Sequence, residues 1–255
     1  MSFMLQKRTL IVLLVLCVCG VAQMGCGPKF DEMSPREIFE YGSEKYQKEK
    51  FSDSIEAFEK LIDLYPFSMY VTRAELQIAN SYFHRRRFIE AATAYEDFID
   101  RHPTNESTPH AMHYLGLSHY KLKRAIDRDQ EETYLAQDAL SRLSTQYPDY
   151  PKIGDAKEKL IEVRSDLAKR ERYIGRFYLR EKEYYAALVR YQRIVRLYAD
   201  TEYYPEALYF CALCYLKLEE NREAQRYIHM VKTKFPNHKY SEKAEDLIDE
   251  QDKAQ

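Results

Sequence analysis

Small and aromatic positions recur along this chain on a fixed ruler, set between stretches rich in charge. Its reference points are Leu64-Tyr65-Pro66, Arg101-His102-Pro103, Gln146-Tyr147-Pro148, Leu197-Tyr198-Ala199 and Lys234-Phe235-Pro236: a ring residue followed by proline, with alanine once in its place. Twelve residues before each third position stands a small residue, Ser54, Ala91, Ala136, Ala187 or Ala224. Eight before it stands a bulky one, Phe58, Tyr95, Leu140, Tyr191 or Ile228. Twelve residues further upstream comes a second small residue, Gly42, Ala79, Gly175 or Ala212, with Gly116 of the third unit displaced by eight. Those eight extra residues fall in the polar stretch Arg124 to Thr133, which reads as an inter-helix loop.

This is the pattern of paired helices. Small side chains let two backbones approach, a large one a turn later fills the groove beside them, and proline stops the second helix. The ruler resembles the tetratricopeptide repeat, so the expected fold is all-α, a solenoid of five helix pairs at 35–68, 71–105, 107–150, 153–202 and 204–238. Ser34-Pro35-Arg36-Glu37 supplies a start for the first helix, with serine as cap and a glutamate placed to reach back. A final charged helix from Ser241 to about Asp252 is expected to cap the last pair. In the fourth unit the first helix is expected to run from Asp155 to about Arg180, roughly 39 Å, long enough to join repeats one to three (35–150) to repeats four and five (151–238). Glu181 to Glu183 then reads as a solvated turn.

The first residues do not belong to this pattern. Lys7 and Arg8 precede an apolar run from Leu10 to Cys19, short of the ~20 residues that span a bilayer. Residues 1–25 read as a signal peptide. Gln23-Met24-Gly25-Cys26-Gly27 resembles a bacterial lipobox, which makes Cys26 the lipidated first residue of the mature chain and 26–34 an anchored linker, with a non-acidic Gly27 that suggests outer-membrane retention. The formal charge is −2, and Lys7 and Arg8 leave with the leader, so the mature chain carries about −4. Acids and bases interleave without a basic stripe, which argues against nucleic acid as a ligand.

Enzymatic chemistry finds little support. Of seven glycines, three lie at 20–27 and three in the small-residue columns, leaving Gly154 and no phosphate-binding loop. Cys211 and Cys214 have the spacing of a redox or zinc pair, but no second pair exists and the ruler places them in mid-helix, where packing is the expected role. His110, His113 and His119 lack carboxylates at metal-ligand spacing, so neither metal nor cofactor is expected. His84-Arg85-Arg86-Arg87 falls at the turn of the second pair, as a solvated turn or a contact for anionic lipid or an acidic partner.

Over essentially the whole mature chain the sequence resembles the BamD family, lipoproteins of the outer-membrane β-barrel assembly machinery. The resemblance is carried by Tyr65-Pro66-Phe67-Ser68-Met69-Tyr70 with Ala74-Glu75-Leu76, Tyr114-Leu115-Gly116-Leu117-Ser118, and Leu167-Ala168-Lys169-Arg170-Glu171 through Tyr178, Tyr185-Ala186-Ala187 and Tyr198-Ala199-Asp200-Thr201. It implies a non-enzymatic scaffold, lipid-anchored on the periplasmic face of the outer membrane. The carboxy-terminal repeats would bind a periplasmic domain of the barrel-forming subunit, with Arg190 pairing with an acid there. The amino-terminal repeats would offer unfolded barrel precursors a groove around Phe67, Tyr70, Tyr82 and Phe83, and other lipoproteins of the complex are further candidate partners. Arg190 directly precedes Tyr191 of the packing column, so it is expected to point off the helix seam. Within the same fold, a pilotin for a secretin or an adaptor for peptidoglycan enzymes is the alternative reading.

Overall fold

Proline and paired small residues punctuate the chain as the ruler requires. A computed structural model describes residues 28–254, with side chains to residue 247. The leader and Cys26 lie outside the described residues. Among these, a short 3₁₀ turn, Phe30–Glu32, precedes eleven α-helices. They are α1 (Pro35–Gln47), α2 (Phe51–Leu64), α3 (Val71–His84), α4 (Phe88–Arg101), α5 (Thr108–Leu122), α6 (Glu131–Gln146), α7 (Ile153–Arg180), α8 (Tyr184–Leu197), α9 (Tyr204–Lys217), α10 (Asn221–Lys234) and α11 (Lys239–Ala254). The fold is an all-α tetratricopeptide solenoid of five helix pairs with α11 closing the end, seated against α9 and α10.

Local chemistry accounts for the ends. Ser34 and Glu37 form a capping box: Glu37 N–H donates to Ser34 Oγ at 3.3 Å, and Ser34 N–H donates to Glu37 Oε2 at 2.8 Å. Each ring residue before the proline column stops its helix in one backbone conformation. Tyr65, His102, Tyr147, Tyr198 and Phe235 all have φ between −131° and −136°. Proline disfavours helical backbone in the residue before it, yet Tyr198 keeps this geometry ahead of Ala199.

A side chain of the long helix explains the exception. Arg164 on α7 donates from Nη2 to the Leu197 carbonyl at 2.6 Å and clasps the Asp200 carboxylate at 2.6 and 2.7 Å. Burial alone would raise the Asp200 carboxyl, but the hydrogen bond and charge of Arg164 outweigh it and hold the group below its ordinary range. Arg164→Ala is expected to cost about 1–2 kcal/mol, the worth of a partly exposed charged clasp. Ala199→Pro in that background should return about half a kcal/mol or more, because Tyr198 already has the backbone conformation of the residues that precede proline in the other pairs; urea denaturation of the two variants checks both.

The tight turns within pairs one, two, four and five share another feature. Glu49, Arg86, Lys182 and Glu219, each five residues before Ser54, Ala91, Ala187 or Ala224, have φ of 57°, 60°, 61° and 64°. Left-handed backbone costs about 1–2 kcal/mol for a residue with a Cβ, and this turn is used four times with charged, solvated side chains. The third pair has its longer loop between Leu122 and Glu131 instead.

Close helix contact is visible at the glycines. A Cβ on Gly42 would stand 2.8 Å from the Phe58 ring, one on Gly116 would stand 2.6 Å from Leu140, and one on Gly175 would stand 2.9 Å from Tyr191. Buried Ser54 adds a hydrogen bond from its Oγ to the Gly42 carbonyl at 2.9 Å.

Two compact units make up the chain, divided between Ser81 and Tyr82 rather than at the 150/151 boundary suggested by the long helix. The core of the first unit is Phe30, Ile38, Phe39, Ala57, Phe58, Leu61 and Ala74. In the second unit α7 packs on both α6 and α8, so it belongs to one body instead of bridging two. It begins two residues earlier than the sequence suggested and spans roughly 42 Å.

Candidate partner-binding surface

The carboxy-terminal surface is built on a buried acid. Glu171 occupies α7 four residues before Gly175, a place filled by buried Ile38, Met112 and Leu208 in three other pairs and by buried Glu75 in the second. It is 1% exposed. Taking a carboxylate out of water costs several kcal/mol unless cations meet it, and two arginines of α8 do so: Arg190 Nη1 lies 3.3 Å from Oε2 and Arg193 Nε lies 3.4 Å from Oε1.

Arg190 therefore does not point off the seam. Its guanidinium crosses to α7, leaving the side chain 31% exposed. The reason is its length: Cα lies at the edge of the α7–α8 contact, and the apolar stem reaches over that edge to a buried charge that it neutralises. Two guanidiniums on one carboxylate leave the cluster with a net positive charge. Beside it, Val189, Gln192, Arg193, Val195 and Arg196 of α8 and Tyr227 of α10 line an open groove of about 450 Å³. Gln192 donates to the Tyr215 hydroxyl at 2.8 Å, which fixes its amide on that wall. Exposed Val189 and Tyr185 extend the surface along α8. The arrangement suits a ligand that brings a carboxylate and an apolar side chain together.

A second acid repeats the device. Glu206, buried at the start of α9, accepts from Arg172 Nε at 2.7 Å and lies 3.1 Å from Arg176 Nη2. Neither acid cluster was singled out from sequence. The readable signal for Glu171 was a carboxylate in a column that is apolar in three of the five pairs.

The expected precursor residues separate by environment. In the first unit, Tyr70 is half-buried, stacked on Phe39 with centroids 5.1 Å apart, whereas Phe67 is 100% exposed and Met69 84% exposed. In the second unit, Phe83 packs edge-on against Phe88 and Tyr114 at 5.5 and 5.0 Å, and the Arg87 guanidinium lies 5.0 Å from the Tyr82 ring. The basic turn His84 to Arg87 is exposed, with Arg87 also bonded to Glu90.

The remaining candidates are packed. Cys211 and Cys214 are free, fully buried thiols within α9; burial pushes Cys214 up to about 12 and Cys211 well above its ordinary value, so neither is a nucleophile at neutral pH. His119 Nδ1 lies 2.7 Å from Glu132 Oε2. His110 stacks on Tyr114 at 4.5 Å, and buried His113 has its Nδ1 3.5 Å from the Tyr150 hydroxyl. Burial, and then Lys152, lowers both imidazoles, His110 to about 4, with Asp155 opposing this at His113. A lowered folded pKa means that stability is complete above the unfolded value near 6.5 and is lost as pH falls toward 4. Guanidinium midpoints measured between pH 7 and pH 4.5 should fall by the equivalent of ~1–2 kcal/mol, allowing for solvent at the ring, and His110→Gln should flatten the slope.

A family model described as an outer membrane lipoprotein, YfiO, matches residues 31–230. The outer membrane protein assembly factor BamD of Rickettsia prowazekii is 30% identical over 241 residues, covering 93% of this chain and 96% of that protein. Its namesakes from Caulobacter vibrioides and from Neisseria meningitidis serogroup B strain MC58 are 25% and 23% identical, covering 90% and 91% of this chain and 76% and 92% of theirs. Among solved structures, a MamA protein aligns with a TM-score of 0.41 at 20% identity, over 78% of this chain and 91% of that one.

Proposed function

The chain belongs to the YfiO family of outer membrane lipoproteins, and on that footing we propose that it is a non-catalytic scaffold of outer-membrane protein assembly. Lipidation at Cys26 would hold it on the periplasmic face. Its carboxy-terminal repeats bind the periplasmic domain of the barrel-forming subunit through Arg190 and the groove beside it. The amino-terminal repeats receive unfolded β-barrel precursors, at Tyr70 in the first unit and at Tyr82 and Phe83 in the second; Phe67 stands outside that aromatic packing and takes a different role. Other lipoproteins of the complex are further candidate partners.

The observation that carries this reading is the cationic cluster of Arg190 and Arg193 on buried Glu171, partly open to solvent and bordered by a groove of mixed polar and apolar lining. A partner carboxylate arriving there meets guanidiniums already partly desolvated and held in place, which lowers the ordering cost of binding.

The test is recovery of the barrel subunit from detergent-solubilised membranes. Arg190→Glu would set a second carboxylate against Glu171 and confound binding with folding, so Arg190→Gln is the cleaner variant. Recovery is expected to fall about tenfold or more, in line with truncation of an interfacial charge pair. Unchanged recovery at physiological salt would remove Arg190 from the interface. Recovery of a single secretion channel or of peptidoglycan enzymes in place of the barrel subunit would support the pilotin or adaptor reading instead.

A further inference from the structure

We propose that the turn between α2 and α3 is a second membrane contact, with Phe67 and Met69 seated in the headgroup layer beside the lipidated amino terminus. The proposal rests on the reading of Cys26 as the lipid-bearing residue.

Four observations converge on it. Phe67 and Met69, two positions apart on one tight turn, are the two most exposed large hydrophobic side chains among the described residues, at 100% and 84%. Side chains so exposed are a convex tip, whereas peptide and small-molecule sites are concave. A tip of this kind inserts into a soft apolar medium; it does not clasp a chain. From Leu64 to Ala74 the sequence contains no Asp or Glu and ends in Arg73-Ala74, in a chain whose residues are 31% charged. Exposed Phe and Met on a turn without acids are what an anionic bilayer surface accepts.

Contacts of the linker fix where this tip lies with respect to the anchor. Phe30 is buried in the core of the first unit and edge-on to Tyr41 at 5.7 Å, so the linker is docked from that residue onward. Phe30 lies only four positions after Cys26, a span of at most roughly 14 Å when fully extended. Tyr65, two residues before Phe67, donates its hydroxyl to the Met33 carbonyl at 2.8 Å, which fastens the base of the turn to that same linker. A lipid at Cys26 thus brings this turn close to the bilayer. A short tether alone leaves the unit free to roll; two apolar side chains in the interface would select one orientation.

The chain contains no tryptophan, so Phe67→Trp and Met69→Trp report on this turn alone, with Tyr185→Trp, at an exposed site of α8, as the control. Each full-length lipidated variant is reconstituted into vesicles of phosphatidylethanolamine and phosphatidylglycerol. The expected result is blue-shifted emission from positions 67 and 69, quenched by lipids that carry a shallow nitroxide, with position 185 unchanged. Vesicle-bound protein whose indole emission from positions 67 and 69 stays water-like and unquenched would overturn the proposal while leaving the anchor intact. Failure of the protein to float with the vesicles would overturn the anchor and this contact together. A shift that appears only on addition of a urea-unfolded barrel precursor, in detergent as in vesicles, would assign the turn to precursor binding and reject the membrane contact.

Discussion

Truncating Tyr191 to alanine is expected to lower the unfolding free energy of the second unit by about 3–5 kcal/mol, whereas Tyr191→Phe should raise it by about 1 kcal/mol. The ring is fully buried, packed over Gly175 and stacked on Phe210 with centroids 4.9 Å apart. Removing it leaves a void that Gly175 has no side chain to fill. The hydroxyl is another matter: it is buried without a hydrogen-bond partner, and burial, followed by the charge of Glu206, pushes its pKa far above the ordinary value. Deleting that oxygen removes an uncompensated desolvation and leaves the packing unchanged. Opposite signs at one position, read from guanidinium unfolding, separate the volume of the side chain from its polarity. A loss on Tyr191→Phe would mean that the hydroxyl is satisfied in solution.

Glu171→Ala is expected to cost about 2–3 kcal/mol, because breaking a buried ion pair from one side costs about 3–5 kcal/mol when the orphaned charge is trapped. Here the cost is smaller, since Arg190 and Arg193 keep roughly a third of their side-chain surface in water and can turn outward. Denaturant unfolding gives the stability loss. The same variant should weaken recovery of the barrel subunit, because Arg190 is no longer held at the mouth of the groove, while Arg190→Gln should weaken recovery at a stability cost below about 1–2 kcal/mol. If Glu171→Ala lost stability yet bound the partner as before, the acid would serve only the core.

The small-residue columns, the ring-proline stops and the capping box at Ser34 were legible because each follows from contacts within some two dozen residues of sequence. Helix period, backbone approach and proline sterics act at that range. The solvated turn at Glu181 to Glu183 was readable for the same reason, as was the packing of Cys211 and Cys214. The clasp of Arg164 on Leu197 and Asp200, which makes proline dispensable at Ala199, bridges 33 and 36 residues. Nothing in the local pattern around either end announces it.

The sequence by itself determined the architecture: helix pairs, their seams, their stops and the capping helix, since periodicity selects which face of each helix is buried. Only the tertiary structure decided where the long charged side chains end. A guanidinium can travel several ångströms from its Cα, so Arg190 could be assigned to the edge of a seam but not to Glu171. Likewise, an aromatic residue in a turn can fold back, as Tyr70 does onto Phe39, or stand clear, as Phe67 does. That choice depends on the space that neighbouring helices leave, which no local spacing encodes.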